Sequence, residues 1–395
     1  MLPHPLTTGF TSPAYVVYHP GGPITLEPVA YGPIQPDEIV LSTAAVSVCA
    51  SDLKVAAGKF YCQPPMILGH ECAGTVLAVG SLVRDLALGD RVILSYDSCK
   101  NNTPALEKCT ACAEGLNPYC RDMMALNMTG YRRDGSVAAG SITTLNGDGE
   151  GKGVQLKGHL FGQSSMGRTI LRLFASLGCG IQTGAGAVLN VARPKINSSI
   201  CIFGAGSVGL SALMAAKLTS PSLLVVVDNS AAKLDMLPVV FKEGEVKLVD
   251  SSRIEGGETG LVERLKGMTG DGLGFDFVLD CVGRSEIIRV GHLTLRGRGM
   301  IVTVGGGGDA ALGGVTMGQH LTRGITFRGT HQGDCLPWIS LPLLIDLWRQ
   351  GKFPFDKLLT FYKFEELHEA IQDLKDGKII KPVLINDMWE TNAQA

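Results

Sequence analysis

Long apolar stretches are missing from this chain. Uninterrupted apolar runs such as Leu223–Val227 fall far short of the roughly 18–20 residues that span a bilayer, so no membrane partner is expected. An excess of one charge is missing too. Lys plus Arg number 35 and Asp plus Glu 37, for a net charge of −2, and no basic cluster interrupts that balance. The electrostatic footprint of a nucleic-acid binder is therefore absent. The first residues, MLPHPLTTGF, lack a basic stretch followed by an apolar core, so no secretory signal is expected and the protein reads as cytoplasmic.

Glycine and cysteine, by contrast, are plentiful. The 51 glycines among 395 residues occur without repeats or low-complexity tracts, so they serve tight turns and close backbone approaches. Eleven cysteines, an odd number in a chain read as intracellular, point to metal ligands or core positions rather than disulfides. The length suits two or three domains.

Texture divides the chain. Ala14–Tyr18, Ile39–Val48, Gly74–Val79 and Arg91–Ser95 read as short strands separated by Gly, Pro and Asp clusters, the spacing of a small β-rich domain. Residues 97–158 carry four cysteines and a polar, Gly-rich stretch, Asn146–Gly158, read as an exposed loop. From about residue 181, strands at Ile200–Phe203, Leu223–Val227, Phe275–Val278 and Met300–Val304 alternate with helical segments, which implies a parallel sheet with right-handed crossovers. Helices at Leu341–Gln350 and Phe364–Lys375 and a last strand at Pro382–Ile385 follow.

Gly204-Ala205-Gly206-Ser207-Val208-Gly209 sits between an apolar strand and a helix, and a second strand ends in Asp228, nineteen residues beyond the last glycine. In that context the glycines suit a tight turn, approach to a pyrophosphate and close helix–strand packing. The helix N-terminus supplies partial positive charge to the phosphates. Asp228 can accept both ribose hydroxyls of NAD(H) and would repel the 2′-phosphate of NADP; neither Asn229 nor Ser230 is the arginine that would receive it.

Two metal constellations stand out. Cys99, Cys109, Cys112 and Cys120 fall within 22 residues, a soft-ligand set suited to a closed tetrahedral Zn²⁺ site. Cys49, the pair His70–Glu71 and Cys179 are dispersed, each beside a glycine or a strand end. Two thiolates and one imidazole would leave a fourth zinc position open, as catalytic sites do.

CxSD at Cys49–Asp52, GHE at Gly69–Glu71, the cysteine loop, CGIQTGAGAV at Cys179–Val188 and GAGSVG at Gly204–Gly209 together resemble the zinc-dependent medium-chain alcohol dehydrogenases. The likeness runs in order over roughly residues 14–390. FGQSS at Phe161–Ser165 and the CGIQTGAGAV segment are most similar to the aryl-alcohol branch. The resemblance implies an α/β fold: a GroES-like β-rich catalytic domain (residues 1–180), a Rossmann doubly wound parallel-sheet coenzyme domain (181–330), and a C-terminal segment (331–395) completing the catalytic domain, with the active site in the interdomain cleft. It implies Cys49, His70 and Cys179 as catalytic zinc ligands, Glu71 as a transient ligand, and Asp52 orienting His70. Ser51 would start the proton relay, with Lys54 further along it. Thr183 would contact the nicotinamide, Lys233 the adenosine ribose beside Asp228 and Lys381 the pyrophosphate, with Val304 also among the cofactor-binding residues. Cys99, Cys109, Cys112 and Cys120 would hold a structural zinc, making two zinc ions per chain.

Three residues depart from the family pattern. The Cys99–Cys109 gap is about seven residues longer than a CxxC spacing. Lys54 stands where many members have a relay histidine, and Ala50 where many have a basic residue. The resulting expectation is hydride transfer between NAD(H) and a primary alcohol/aldehyde pair, aryl or allylic, by a homodimer with Val302–Val315 and Thr316–Leu321 near its contact. Phe60 and Phe161 are expected near the pocket. The alternatives are a glutathione-adduct or other alcohol dehydrogenase of the family, a metal-free NADPH-dependent reductase of the same superfamily, and a non-catalytic zinc- and nucleotide-binding redox sensor.

Overall fold

A computed structural model describes residues 8–95, 109–142, 153–166, 174–306 and 315–385. The chain forms two compact units. The first comprises Met1–Cys179, Thr360–Gln372 and Lys381–Ala395, the second Gly180–Leu359 and Asp373–Ile380.

Two five-stranded sheets build the first unit. One contains β1 (Phe10–Val17), β2 (Ile24–Tyr31), β4 (Met66–Ile67), β7 (Ala139–Ser141) and β8 (Gln155–Leu156), in the order β4-β1-β2-β7-β8. The other contains β3 (Ile39–Ser47), β5 (Cys72–Val79), β6 (Arg91–Leu94), β15 (Leu359–Lys363) and β16 (Lys381–Ile385), in the order β15-β16-β3-β5-β6. β16 runs antiparallel to β3, with Val383 opposite Ser47. The end of the chain therefore lies beside the strand that leads into Cys49. β8 falls inside the stretch expected to be loop. It forms because Leu156 is fully buried and pairs with Ala139.

The second unit is one six-stranded sheet of β9 (Ser199–Phe203), β10 (Leu223–Asp228), β11 (Lys247–Asp250), β12 (Phe275–Asp280), β13 (Leu295–Thr303) and β14 (Thr326–Gly329). Its order is β11-β10-β9-β12-β13-β14, and every pairing is parallel. This is the doubly wound arrangement whose order reverses between the first and fourth strands, the point where such sheets bind ligands. β9 is buried throughout, as a central parallel strand covered on both faces must be. Cys201, Phe203, Val225, Val227, Val278 and Ile301 meet in its core.

The C-terminal segment divides differently from expectation, with Asp373–Ile380 as well as the stretch before Thr360 falling in the second unit. Residues 331–359, including the helix Pro337–Arg349, stay with the second unit, and the return to the first begins at Thr360. No helix among the described residues is long and apolar enough to cross a membrane.

Candidate functional site

The first unit gathers four donor groups. Atoms of Cys49, His70, Glu71 and Cys179 all lie within 4.8 Å of one another, although the residues are up to 130 positions apart in sequence. Cys49 caps the helix Ala50–Ala56. Asp52, in the first turn of that helix, accepts the Cys49 N–H on Oδ2 at 3.0 Å, completing a capping box. Its Oδ1 accepts the Gly69 N–H and lies 3.0 Å from His70 Nδ1. With Nδ1 so engaged, Nε2 is the ring nitrogen on the cluster side, 4.0 Å from Glu71 Oε1. Gly69 must be glycine: its φ is +98°, and a Cβ there would lie 2.5 Å from Met166 N.

Electrostatics within the cluster follow from contact and burial. Cys49 is held well below the usual thiol range, first by the hydrogen bond from Cys179, against burial, and then by the Lys381 charge. Cys179 is pushed well above it by the same bond and by burial. Burial would lower His70, but Asp52 overrides it and raises the imidazole. Burial pushes the Glu71 carboxyl up to about 7 despite Lys381. Two soft thiols, an oriented imidazole and a carboxylate form a donor set that fits Zn²⁺.

Ser51 Oγ lies 3.8 Å from Cys49 Sγ, and Lys54 is half-buried on the same helix. The Phe161 ring packs against His70 with centroids 4.4 Å apart and against Phe60 at 5.8 Å. Lys381, expected at the pyrophosphate, is 1% exposed, and its Nζ donates to Glu71 Oε1 at 2.8 Å. Sequence reasoning missed this pair, as it missed Gln163, whose Nε2 donates to the His70 carbonyl at 2.9 Å. Gln163 lies within the FGQSS segment, which was the available signal. No local signal linked positions 71 and 381.

Cys109, Cys112 and Cys120 also converge within 4.8 Å, all buried. The Arg121 backbone N–H, 3.5 Å from Cys109 Sγ, leads the contacts that lower that thiol to about 7. Cys99 lies outside the described residues.

In the second unit, the 204–209 loop joins β9 to the helix Ser207–Lys217. A Cβ at Gly209 would sit 1.8 Å from the Gly204 carbonyl oxygen, so packing demands glycine there, whereas the space at Gly206 is open. That open cradle at a helix N-terminus fits a phosphate. Asp228, at the end of β10, accepts from Ala205 N at 2.7 Å and Ser230 N at 2.9 Å. Lys233 is half-buried on the helix Ala231–Asp235, which Ser230 caps. Thr183 is buried on the helix Gly180–Gly186, and the Val304 N–H donates to the Asp280 carbonyl at 2.9 Å.

Fold and donor set suit a zinc-binding dehydrogenase, and comparison with known proteins shows the family. Residues 35–145 match the alcohol dehydrogenase GroES-like domain and residues 207–348 the zinc-binding dehydrogenase domain. Geraniol dehydrogenase of Castellaniella defragrans is 36% identical, covering 94% of this chain and 97% of the relative. Alcohol dehydrogenase class-2 isozyme 2 of Oryctolagus cuniculus is 30% identical over 94% and 97%. The crystal structure of benzyl alcohol dehydrogenase from Acinetobacter calcoaceticus is similar with a TM-score of 0.82 and 31% identity, covering 95% of this chain and 99% of that one. The chain belongs to the zinc-dependent medium-chain alcohol dehydrogenase family and is an alcohol oxidoreductase.

Proposed function

We propose that the chain interconverts a primary aryl or allylic alcohol and its aldehyde with NAD(H), using a catalytic zinc held by Cys49, His70 and Cys179. The carrying observation is the convergence of those donors with Glu71 within 4.8 Å, beside the Phe161 ring. A zinc ion bound there would supply Lewis acidity toward an alcohol oxygen. NAD⁺ would accept the hydride, and the Gly206 cradle and Asp228 support its binding in the second unit. The chain's own residues then orient and transfer protons. Ser51 receives the hydroxyl proton as it passes its own onward. Lys54, three positions along the helix and so on the same face, carries the path toward solvent.

Two relatives bear names that support the substrate class, a geraniol dehydrogenase and a benzyl alcohol dehydrogenase. A second, structural zinc at Cys109, Cys112 and Cys120, with Cys99 as the fourth ligand, belongs to the same reading. So does a homodimer, for which the exposed Met317 and Leu321 on the helix Met317–Arg323 offer an apolar contact. A reducing, cytoplasmic setting belongs to the same reading, and the ten described cysteines form no disulfide with one another.

The test follows NADH absorbance with benzaldehyde and with geranial, wild type beside C49S. Turnover by the wild type and none by the variant supports the reading. A zinc-loaded wild type inert toward both aldehydes overturns the substrate class.

A further inference from the structure

Lys381 is the first residue of β16. Antiparallel pairing with β3 sets Val383 opposite Ser47, and Val48 N donates to the Pro382 carbonyl at 3.0 Å. The lysine is thereby carried into the donor cluster. Its ammonium lies 2.8 Å from Glu71 Oε1, 2.8 Å from Oε2 and 3.4 Å from the Val48 carbonyl. Residue exposure is 1% for Lys381 and 0% for Glu71. A charge so enclosed is strongly unfavourable unless paired, and Glu71 is the pairing group.

The pair bears on what the cluster does. Two sulfurs, an imidazole nitrogen and a carboxylate oxygen within 4.8 Å are enough donors for a closed tetrahedral zinc site, which would leave no position for a substrate. Charge points the same way. Two thiolates and a carboxylate outweigh a divalent cation by one negative charge, and the Lys381 ammonium balances it. The Asp52 charge is already shared by the Cys49 and Gly69 N–H groups and His70 Nδ1.

We propose that Lys381 is a positioning residue whose ion pair holds the Glu71 carboxylate off the metal, keeping the fourth coordination position open for the alcohol oxygen. This rests on the reading of the cluster as a catalytic zinc site. In a K381M chain the carboxylate loses its cation and its cheapest partner becomes the metal, so the site closes.

The probe is cobalt(II) in place of zinc, with imidazole titrated as an external ligand and read by visible absorption. Wild type should bind imidazole. K381M should bind it at least about tenfold more weakly, with an altered cobalt spectrum before imidazole is added. K381M/E71Q, whose neutral amide is a poor ligand, should return to within about twofold of wild type, as should K381R. If K381M does not fold, K381Q, which drops the charge but keeps a donor, replaces it. Cobalt uptake with the same imidazole affinity in wild type and K381M overturns the role of Lys381 alone. Failure of the wild type to take up cobalt in a manner lost in C49S overturns the zinc reading with it.

Discussion

Asp52 ties the two halves of the donor cluster together: its Oδ1 lies 3.0 Å from His70 Nδ1, while its Oδ2 accepts the backbone N–H of Cys49 at 3.0 Å. One buried carboxylate thus fixes the helix that presents a thiol and the ring that faces it across eighteen residues. The imidazole is held with Nε2 toward the other donors, an arrangement that raises ligand basicity and narrows the ring's freedom.

D52N keeps the shape and removes the charge. Its zinc affinity should fall about 10–100-fold, read by competition with a chromogenic chelator. Loss of the capping contact should also cost about 1 kcal/mol in chemical unfolding of the apoprotein. Unchanged zinc affinity would show that the His70 ring is oriented by other means.

A second carboxylate, outside the donor cluster, sets acid stability. Burial pushes Glu38 up, but His159, the Arg132 guanidinium and the Gln35 N–H together hold it at about 2. Its oxygens are 2.8 Å from Arg132 Nε and Nη2 and 2.9 Å from His159 Nε2. A depressed carboxylate stabilises the fold above its unfolded pKa and loses that contribution as pH falls through its folded one. The depression corresponds to about 3 kcal/mol, fully present above about pH 5 and gone near pH 2. E38Q should therefore be less stable than wild type at pH 7 by about 2–3 kcal/mol, and the two urea midpoints should converge on acidification. A gap that stays constant from pH 7 to pH 3 would assign the loss to packing.

Much of the fold was legible because burial leaves a pattern. Ile200–Phe203 and Leu223–Val227 are unbroken apolar runs, and both are central strands of a sheet covered on two faces. Cys49, His70 and Cys179 stood out as donors beside a glycine or a strand end, and the family resemblance joined them into one site; Gly69 is needed for its positive φ. The short strands β8 and β14 were not legible. Their backbone pairing carries no side-chain signature at two to four residues. The Lys381–Glu71 pair escaped for a different reason. A buried lysine looks like any surface lysine until β16 is set against β3, and that register joins residues 310 positions apart.

The Cys109, Cys112 and Cys120 thiols give a prediction separable from catalysis. C112S should lower metal content from about two to about one zinc per chain by elemental analysis, because a three-donor remnant no longer closes a structural site. The thermal midpoint should drop, while the zinc lost in C49S is the other one. C99S should match C112S if Cys99 is the fourth ligand. Full metal retention by C112S would leave these thiols as core residues only.

Phe161 gives the sharpest test of substrate class. It is 4% exposed, its ring centroid is 4.4 Å from that of His70, and it holds φ at +52°, a left-handed conformation that costs a non-glycine residue about 1–2 kcal/mol. Packing against His70 and Phe60 offsets that cost, and it sets an aromatic face beside the donor cluster. F161L keeps an apolar side chain of similar reach but removes the flat surface. Its kcat/KM should fall about tenfold or more for benzaldehyde, while that for hexanal should change by about twofold or less, since an aliphatic chain gains little from ring stacking. The comparison of two substrates in one variant separates recognition from general damage. A loss of equal size for both aldehydes would mean that Phe161 supports His70 and takes no part in choosing the substrate.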